Sequence, residues 1–398
     1  MVSDSHRSAG RIDMPSPLLP PELLLDIVDA LVLSQPSHAN RIPNLAILAR
    51  INRSFHSLTN PLLYRNLFLD TPRRFKILST LSRNPSLLRH VRTLTISGGE
   101  LSIGEFGFMK EVLSGCSNVS RLTYLCFDLW YLPSLTAFIG QTWSTQLRYL
   151  RSDSKEGLFH LLARLPNLEE LVASRIDFPS NINSTRSSSI DTCSPPSLPS
   201  FHLKRIDSGS SPFAPDFDLL TRTSRTTLVD LDLPISSQSP LQDLSSFSAL
   251  SSLTLSLAER YIPHSIDSRI GVPGGPARTD RDDVKCLRRV VEMLKAIERG
   301  GGGKSFRRLE LYQPSYRRTR EISASDVEES RLLEEIPAFV NELDLSTLEI
   351  DGKYLQRLFG VRESGVCRGL KRIFLKNLEN PGEVERVMKE RGIAVVYS

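Results

Sequence analysis

Residues 283–311 read DVKCLRRVVEMLKAIERGGGGKSFRRLEL. The glycines ending in Lys304 and Ser305 look like a phosphate-binding loop, yet that loop requires G-x-x-x-x-G-K-[ST], and the position of its first glycine is held by Glu298. The order of elements is also reversed. A phosphate loop comes after a strand and opens a helix, whose free N–H groups face the anion. Here Val284, Leu287, Val291, Leu294 and Ile297 recur at helical spacing, with Asp283 in place to cap the start and Gly300 to take a left-handed C-cap. The next residues, FRRLEL (306–311), have the period of a strand. A helix that ends on glycines would turn carbonyl oxygens toward a phosphate, so the stretch is a helix-to-strand joint.

FRRLEL is one copy of a recurring hexad, apolar-x-x-apolar-x-apolar. It returns as VRTLTI (91–96), LVDLDL (228–233), LSSLTL (250–255), LSTLEI (345–350) and LKRIFL (370–375), with looser copies VSRLTY (119–124), LRYLRS (147–152), LEELVA (168–173) and LKRIDS (203–208). Successive starts lie 28, 28, 21, 35, 25, 22, 56, 39 and 25 residues apart. Six of these intervals fall in the window of roughly 20–29 residues of a leucine-rich repeat. The other three enclose the Ser/Pro-rich stretch 177–202, the turn-rich stretch 263–282 and the polar stretch 313–330, all expected to be mobile insertions. Between strands, segments such as GEFGFMKEVLSGC (104–116) and LPSLTAFIGQTW (132–143) read as helices. Such a unit cannot bury its apolar face alone; stacked units form an α/β solenoid with parallel strands on the inner face.

Alternation along each strand sends the fourth and sixth hexad positions into the core and leaves the residues between them on the inner face. That surface is expected to hold Thr93, Thr95, Tyr149, Arg151, Asp230, Asp232, Arg308, Glu310, Tyr312, Thr347, Glu349, Asp351, Arg372, Phe374 and Lys376. Target-binding candidates among them are Tyr149, Arg151, Asp230, Asp232, Arg308, Tyr312, Arg372, Phe374 and Lys376. Mixed charge with interleaved aromatics fits a protein partner better than a nucleic acid, which favours a uniformly basic surface. Arg308, Arg372 and Lys376 would be the residues to read a phosphate on such a partner.

Composition excludes several function classes. A formal net charge of +5 on 398 residues demands no nucleic acid, and no apolar stretch approaches membrane length. Five scattered cysteines without C-x-x-C spacing fit a reduced, intracellular protein, and seven scattered histidines show no zinc-ligand spacing. No nucleophile-elbow or H-E-x-x-H motif is present, and the adjacent acids Asp282–Asp283 and Glu334–Glu335 are expected to cap or solvate helices. Neither cofactor nor metal is called for, and a non-catalytic role is expected.

The N-terminus reads differently. After a flexible tail over 1–16, LLPPELLLDIVDALVL (18–33) places Leu23, Leu24, Ile27, Val28 and Leu31 in a helical stripe, with Pro20 and Pro21 at its start and Glu22 in its first turn. A second stripe runs through Leu45, Leu48, Ile51, Phe55 and Leu58, and the chain restarts after Pro61. A helical module over 17–70 followed by a solenoid over 71–398 is the expected organisation.

LPPELLLDIV (19–28) and LAILARINRSFHSLTNPLLYRNL (45–67) resemble the two halves of the F-box motif, and the likeness to fungal F-box proteins with C-terminal leucine-rich repeats continues through TPRRFKILSTLSRNPSLLRHVRTLTI (71–96). Two departures are a long segment at 34–43 and Phe55 where many members carry Trp. The resemblance implies a substrate-receptor subunit of a Skp–cullin–F-box ubiquitin ligase, in the cytoplasm or nucleus. The Skp adaptor, and through it a cullin, would be held by Leu19, Pro20, Leu23, Leu24, Ile27, Leu45 and Leu48, and the repeats would hold an unidentified target protein. The alternatives are a repeat scaffold that never joins a ligase, or an enzyme whose catalytic groups meet only in space.

Overall fold

In a computed structural model of the chain, the described residues are 20–34, 38–70, 72–98, 103–125, 132–152, 158–173, 202–207, 220–235, 243–257, 280–313, 322–360, 367–376, 378 and 381–397. The expected tail over 1–16, Leu19 and almost all of the insertions at 177–202 and 263–282 lie outside them. Twelve parallel strands form one sheet in strict chain order: β1 (Asn66–Leu69), β2 (Thr93–Ser97), β3 (Arg121–Leu125), β4 (Tyr149–Ser152), β5 (Glu170–Ala173), β6 (Arg205–Asp207), β7 (Asp230–Ile235), β8 (Ser252–Leu257), β9 (Arg308–Tyr312), β10 (Glu342–Leu345), β11 (Arg372–Leu375) and β12 (Ala394–Tyr397). Parallel neighbours need long crossovers. Here these carry helices such as Ile103–Ser114, Leu132–Thr142, Asp280–Arg299 and Gly352–Gly360.

The hexad explains the stacking. Its first, fourth and sixth positions turn into the layer between strands and helices: Val91, Leu94 and Ile96 in the second strand, and Phe306, Leu309 and Leu311 in the ninth, are at most 1% exposed. Each repeat adds such side chains to one continuous core, at about 1.5–3 kcal/mol for each large apolar side chain buried. The second hexad position joins neighbours through the backbone. The carbonyl of Arg92 accepts both Ser120 N–H and Arg121 N–H, that of Ser120 accepts Arg148 and Tyr149, and that of Ser251 accepts Arg307 and Arg308. The residue before the hexad adds a side-chain link. Asn118 donates to the Arg89 carbonyl, Asn167 to that of Thr145, and Thr227 to that of Leu203, at 2.7, 2.7 and 3.0 Å.

The glycine joint has the expected order of helix, glycines and strand. The helix begins at Asp280, however, so Asp283 lies buried within it and is not its cap. The left-handed residue is Gly301 (φ +77°), one place beyond the expected Gly300. Gly300 is required for a different reason: a Cβ there would overlap the Ser245 carbonyl oxygen.

Four further differences have local causes. Strand β10 takes its hexad from VNELDL (340–345), not LSTLEI (345–350), because Asp344 and Leu345 open a turn in which Ser346 N–H meets Asp344 Oδ1 and Leu348 N–H meets the Leu345 carbonyl. Thr347, Glu349 and Asp351 therefore leave the strand face, which holds Glu342 and Asp344 in their place. The polar stretch 313–330 ends in a helix, Ala324–Ser330, closed by a Ser323–Asp326 capping box, with Ile322 and Val327 buried. Glu334 and Glu335 fall in turns, Glu335 meeting Lys295 at 2.6 Å. Lastly, β1 lies inside 17–70, its hexad starting at Tyr64 in register with Val91.

The N-terminal helices are Pro21–Ser34, His38–Ile51 and Arg53–Leu63. The second apolar stripe breaks at Asn52, whose side chain accepts Phe55 N–H at 2.9 Å, and the third helix runs through Pro61 where a restart was expected. Leu24, Val28, Leu45 and Phe55 make a small core separate from the main one. No helix among the described residues is long and apolar enough to cross a membrane.

Candidate functional site: the open face of the sheet

Leucines and helices occupy one side of the sheet; on the other, most strand residues are half-buried or exposed, while Pro234 and Ser256 at the ends of β7 and β8 are buried. Strand order never reverses, so these strands form no switch point of the kind where open α/β sheets bind ligands. The open face instead displays hexad positions three and five as two rows running across the strands, with neighbours roughly 4.8 Å apart.

In the first row, Arg121 stacks 4.0 Å from the Tyr149 ring centroid and reaches Glu170 at 3.5 Å, linking β3, β4 and β5. Arg205, Asp230, Ser252, Arg308, Glu342 and Arg372 continue the row, and Arg372 pairs with Glu342. The fifth position is different. Register aligns Asp207 with Asp232, Asp232 with Thr254, Thr254 with Glu310, and Glu310 with Asp344. Four carboxylates thus stand on five consecutive strands.

Electrostatic relief along this row is uneven. Arg308 donates to Glu310 at 3.1 Å and to Asp344 at 3.0 Å, and its guanidinium lies 5.7 Å from the Phe374 ring centroid. At the other end the Asp232 carboxyl is pushed up to about 7, first by burial and then by the charges of Asp207 and Glu310, with Arg205 pulling the other way. Asp232 Oδ1 is shut off from solvent and accepts no hydrogen bond.

Of the nine target-binding candidates, eight lie on this face: Tyr149, Arg151, Asp230, Asp232, Arg308, Tyr312, Arg372 and Phe374. Lys376 lies past the end of β11, lining a cavity of about 540 Å³ with Glu349, Asp351 and Lys353 beside the start of helix Gly352–Gly360. Arg308 and Arg372 are already engaged by the sheet's own acids, so the three cations expected to read a phosphate form no common anion site. Sequence reasoning left out Asp207, although it stands four residues after its hexad start as Asp232 and Glu310 do and aligning hexads on their first residue would have found it; Asp344 was missed because its hexad was read at 345–350 and not at 340–345.

A second cavity of about 760 Å³, lined by Asp243, Ser245, Glu292, Met293, Ala296, Arg299 and Gly300, sits at the glycine joint. Among the described residues no group of three or more His, Cys, Asp or Glu side chains is placed to hold a metal ion.

The adaptor-binding candidates divide by orientation. Leu23 (48% exposed) and Ile27 (40%) point outward, and Pro20 is exposed, whereas Leu24 and Leu45 are buried in the module's core and Leu48 packs partly against it. Leu25, Ile47 and Ile51 are further exposed apolar residues on the first two helices that the motif did not single out. Compared with protein-family models and with curated proteins, the chain gives no match.

Proposed function

We propose that the chain is a substrate-receptor subunit of a Skp–cullin–F-box ubiquitin ligase, working inside the cell in the cytoplasm or nucleus. The observation that carries this reading is the double apolar stripe of the N-terminal helices. Leu24, Val28 and Leu31 are enough to pack the first helix inward, yet Leu23 and Ile27 form a second stripe facing out, and Ile47 and Ile51 do the same on the next helix. An amphipathic helix needs one such stripe; a second, left uncovered, marks a docking surface. The solenoid then offers the open sheet face to a target. Such a subunit does no bond chemistry, and speeds transfer by raising the effective concentration of target near the ubiquitin-loaded enzyme.

Co-purification with the Skp adaptor tests this. The chain is expected to bring the adaptor down, and the double variant Leu23→Asp/Ile27→Asp to lose it while keeping the parent's circular dichroism and melting temperature. Leu24→Asp is unsuitable, since Leu24 fills the module's own core and its loss would unfold what it is meant to test. Absent co-purification, or capture indifferent to the double variant, would reject the ligase assignment and leave a protein-binding scaffold.

A further inference from the structure

We propose that Arg65, Arg89 and Arg92, at the N-terminal ends of β1 and β2, seat an aspartate- or glutamate-rich segment of a partner protein. This seat is separate from the open face and from the outward stripe of the N-terminal helices, and does not depend on what either of those binds.

The sequence concentrates its positive charge in this region. Residues 41–98 hold ten arginines and lysines and a single acid, Asp70, although the whole chain carries only +5; the remainder is net acidic. Register gathers part of that charge on one edge. Arg65 and Arg92 take the second hexad position of neighbouring strands, roughly 4.8 Å apart, and the Arg65 carbonyl accepts the N–H groups of Arg92 and Thr93. Arg89 belongs to the short 3-10 helix Pro85–His90, directly before β2. All three side chains are exposed. His90 stands between Arg89 and Arg92; burial first, and then these two charges, hold its imidazole below the ordinary value, and no acid pulls the other way.

Further along the same edge the fold supplies its own countercharge. The second position is Ser120 in β3, Arg148 in β4 and Lys204 in β6, and Glu169 of β5 lies 3.7 Å from Arg148 and 2.8 Å from Lys204. Among the described residues the guanidiniums of Arg65, Arg89 and Arg92 have no ion pair and no hydrogen bond. Carboxylates of an incoming segment provide what is missing, since the planar fork of a guanidinium matches a carboxylate in two parallel hydrogen bonds. The cationic track is also short: it covers two strands, stops at Ser120 and meets Glu169 beyond. A nucleic acid is held along a longer, uniformly basic path. The helix Arg53–Leu63 packs against Pro85–His90, so the seat borders the N-terminal module.

The test is fluorescence anisotropy of the full chain with a labelled peptide of alternating glutamate and serine, its lysine counterpart, and an oligothymidine of equal charge. The glutamate peptide is expected to bind and to weaken with salt, and the lysine peptide to show no binding. Arg65→Gln/Arg92→Gln should lose roughly tenfold or more in affinity, and Arg89→Gln, on a different element, several-fold. Lys371→Gln/Lys389→Gln, which removes two exposed cations from the last repeats, should lose nothing. The three arginine side chains bond to nothing in the fold, so their variants should keep the parent's circular dichroism and melting temperature. Binding should also move the ring resonances of His90, assigned by their loss in His90→Gln. Absent binding of the glutamate peptide, or parental affinity in both arginine variants, overturns the assignment. Tighter binding of the oligothymidine, lost in the same variants, also overturns it and gives the edge to nucleic acid.

Discussion

Replacing Asp232 with Asn should stabilise the protein at neutral and alkaline pH and do almost nothing in acid. The folded-state carboxyl titrates at about 7 against an ordinary value of 3.8, raised by burial and by Asp207 and Glu310. A raised carboxylate pKa means that folding favours the protonated form. Below pH 3.8 the carboxyl is neutral in both states and contributes no penalty. Between that point and about pH 7 the unfolded chain ionises first, stability falls as pH rises, and above 7 the loss is complete. A gap of roughly three units corresponds to about 4 kcal/mol. Water on the open side of the sheet screens part of this, which brings the expected gain from Asp232→Asn to about 2 kcal/mol at pH 8. Urea titrations of parent and variant at pH 4, 6 and 8 would read the difference, and hydrogen exchange of the β6–β8 amides would localise it, since repeat arrays need not unfold as one unit. A difference independent of pH, or a variant less stable than the parent at pH 8, would refute the reasoning.

Packing and burial set the outcome of two other perturbations. Gly300→Ala should cost about 1–3 kcal/mol because the new methyl meets the Ser245 backbone, and Gly301→Ala about 1–2 kcal/mol because its φ is positive; urea midpoints of the two variants measure both. The thiols of Cys116 and Cys367, each pushed up to about 12 by burial, should resist alkylation in the native protein at pH 8 and react once it is unfolded, as peptide mass spectrometry would show.

The repeat was legible because its signal is covalent and periodic: Val91, Leu94 and Ile96 recur in kind down the chain, and the strands stand where those leucines put them. Legibility failed where two readings satisfied the same pattern. LSTLEI and VNELDL share Leu345 and both fit the hexad; only the turn through Asp344 and Leu348 decides between them. The first strand escaped notice because its hexad opens on Tyr64 and merges with the helical stretch before it. The helix Ala324–Ser330 was hidden by polarity, since a capping box is made of the residues that also make loops. On the open face, single charges were visible but their company was not. Asp207, Asp232 and Glu310 come from separate repeats, and their mutual repulsion exists only once register brings them side by side. On the N-terminal helices, motif spacing took Leu23 and Leu24 together and could not say that Leu23 looks outward and Leu24 inward, since neighbours on a helix part by about 100°.

Hexad starts vary from 21 to 56 residues apart along the chain, yet every strand from β2 to β11 is joined to the one before it through the same paired N–H groups on one carbonyl, and β12 through Ala394 N–H alone. The register between neighbouring strands is therefore the same whatever the length of chain between them, and the sheet keeps the constant gradation of a ruler. Growth of an insertion cannot shift one mark relative to another, and each mark can change its chemistry without disturbing its neighbours' spacing. A surface of this kind can be rewritten one residue at a time.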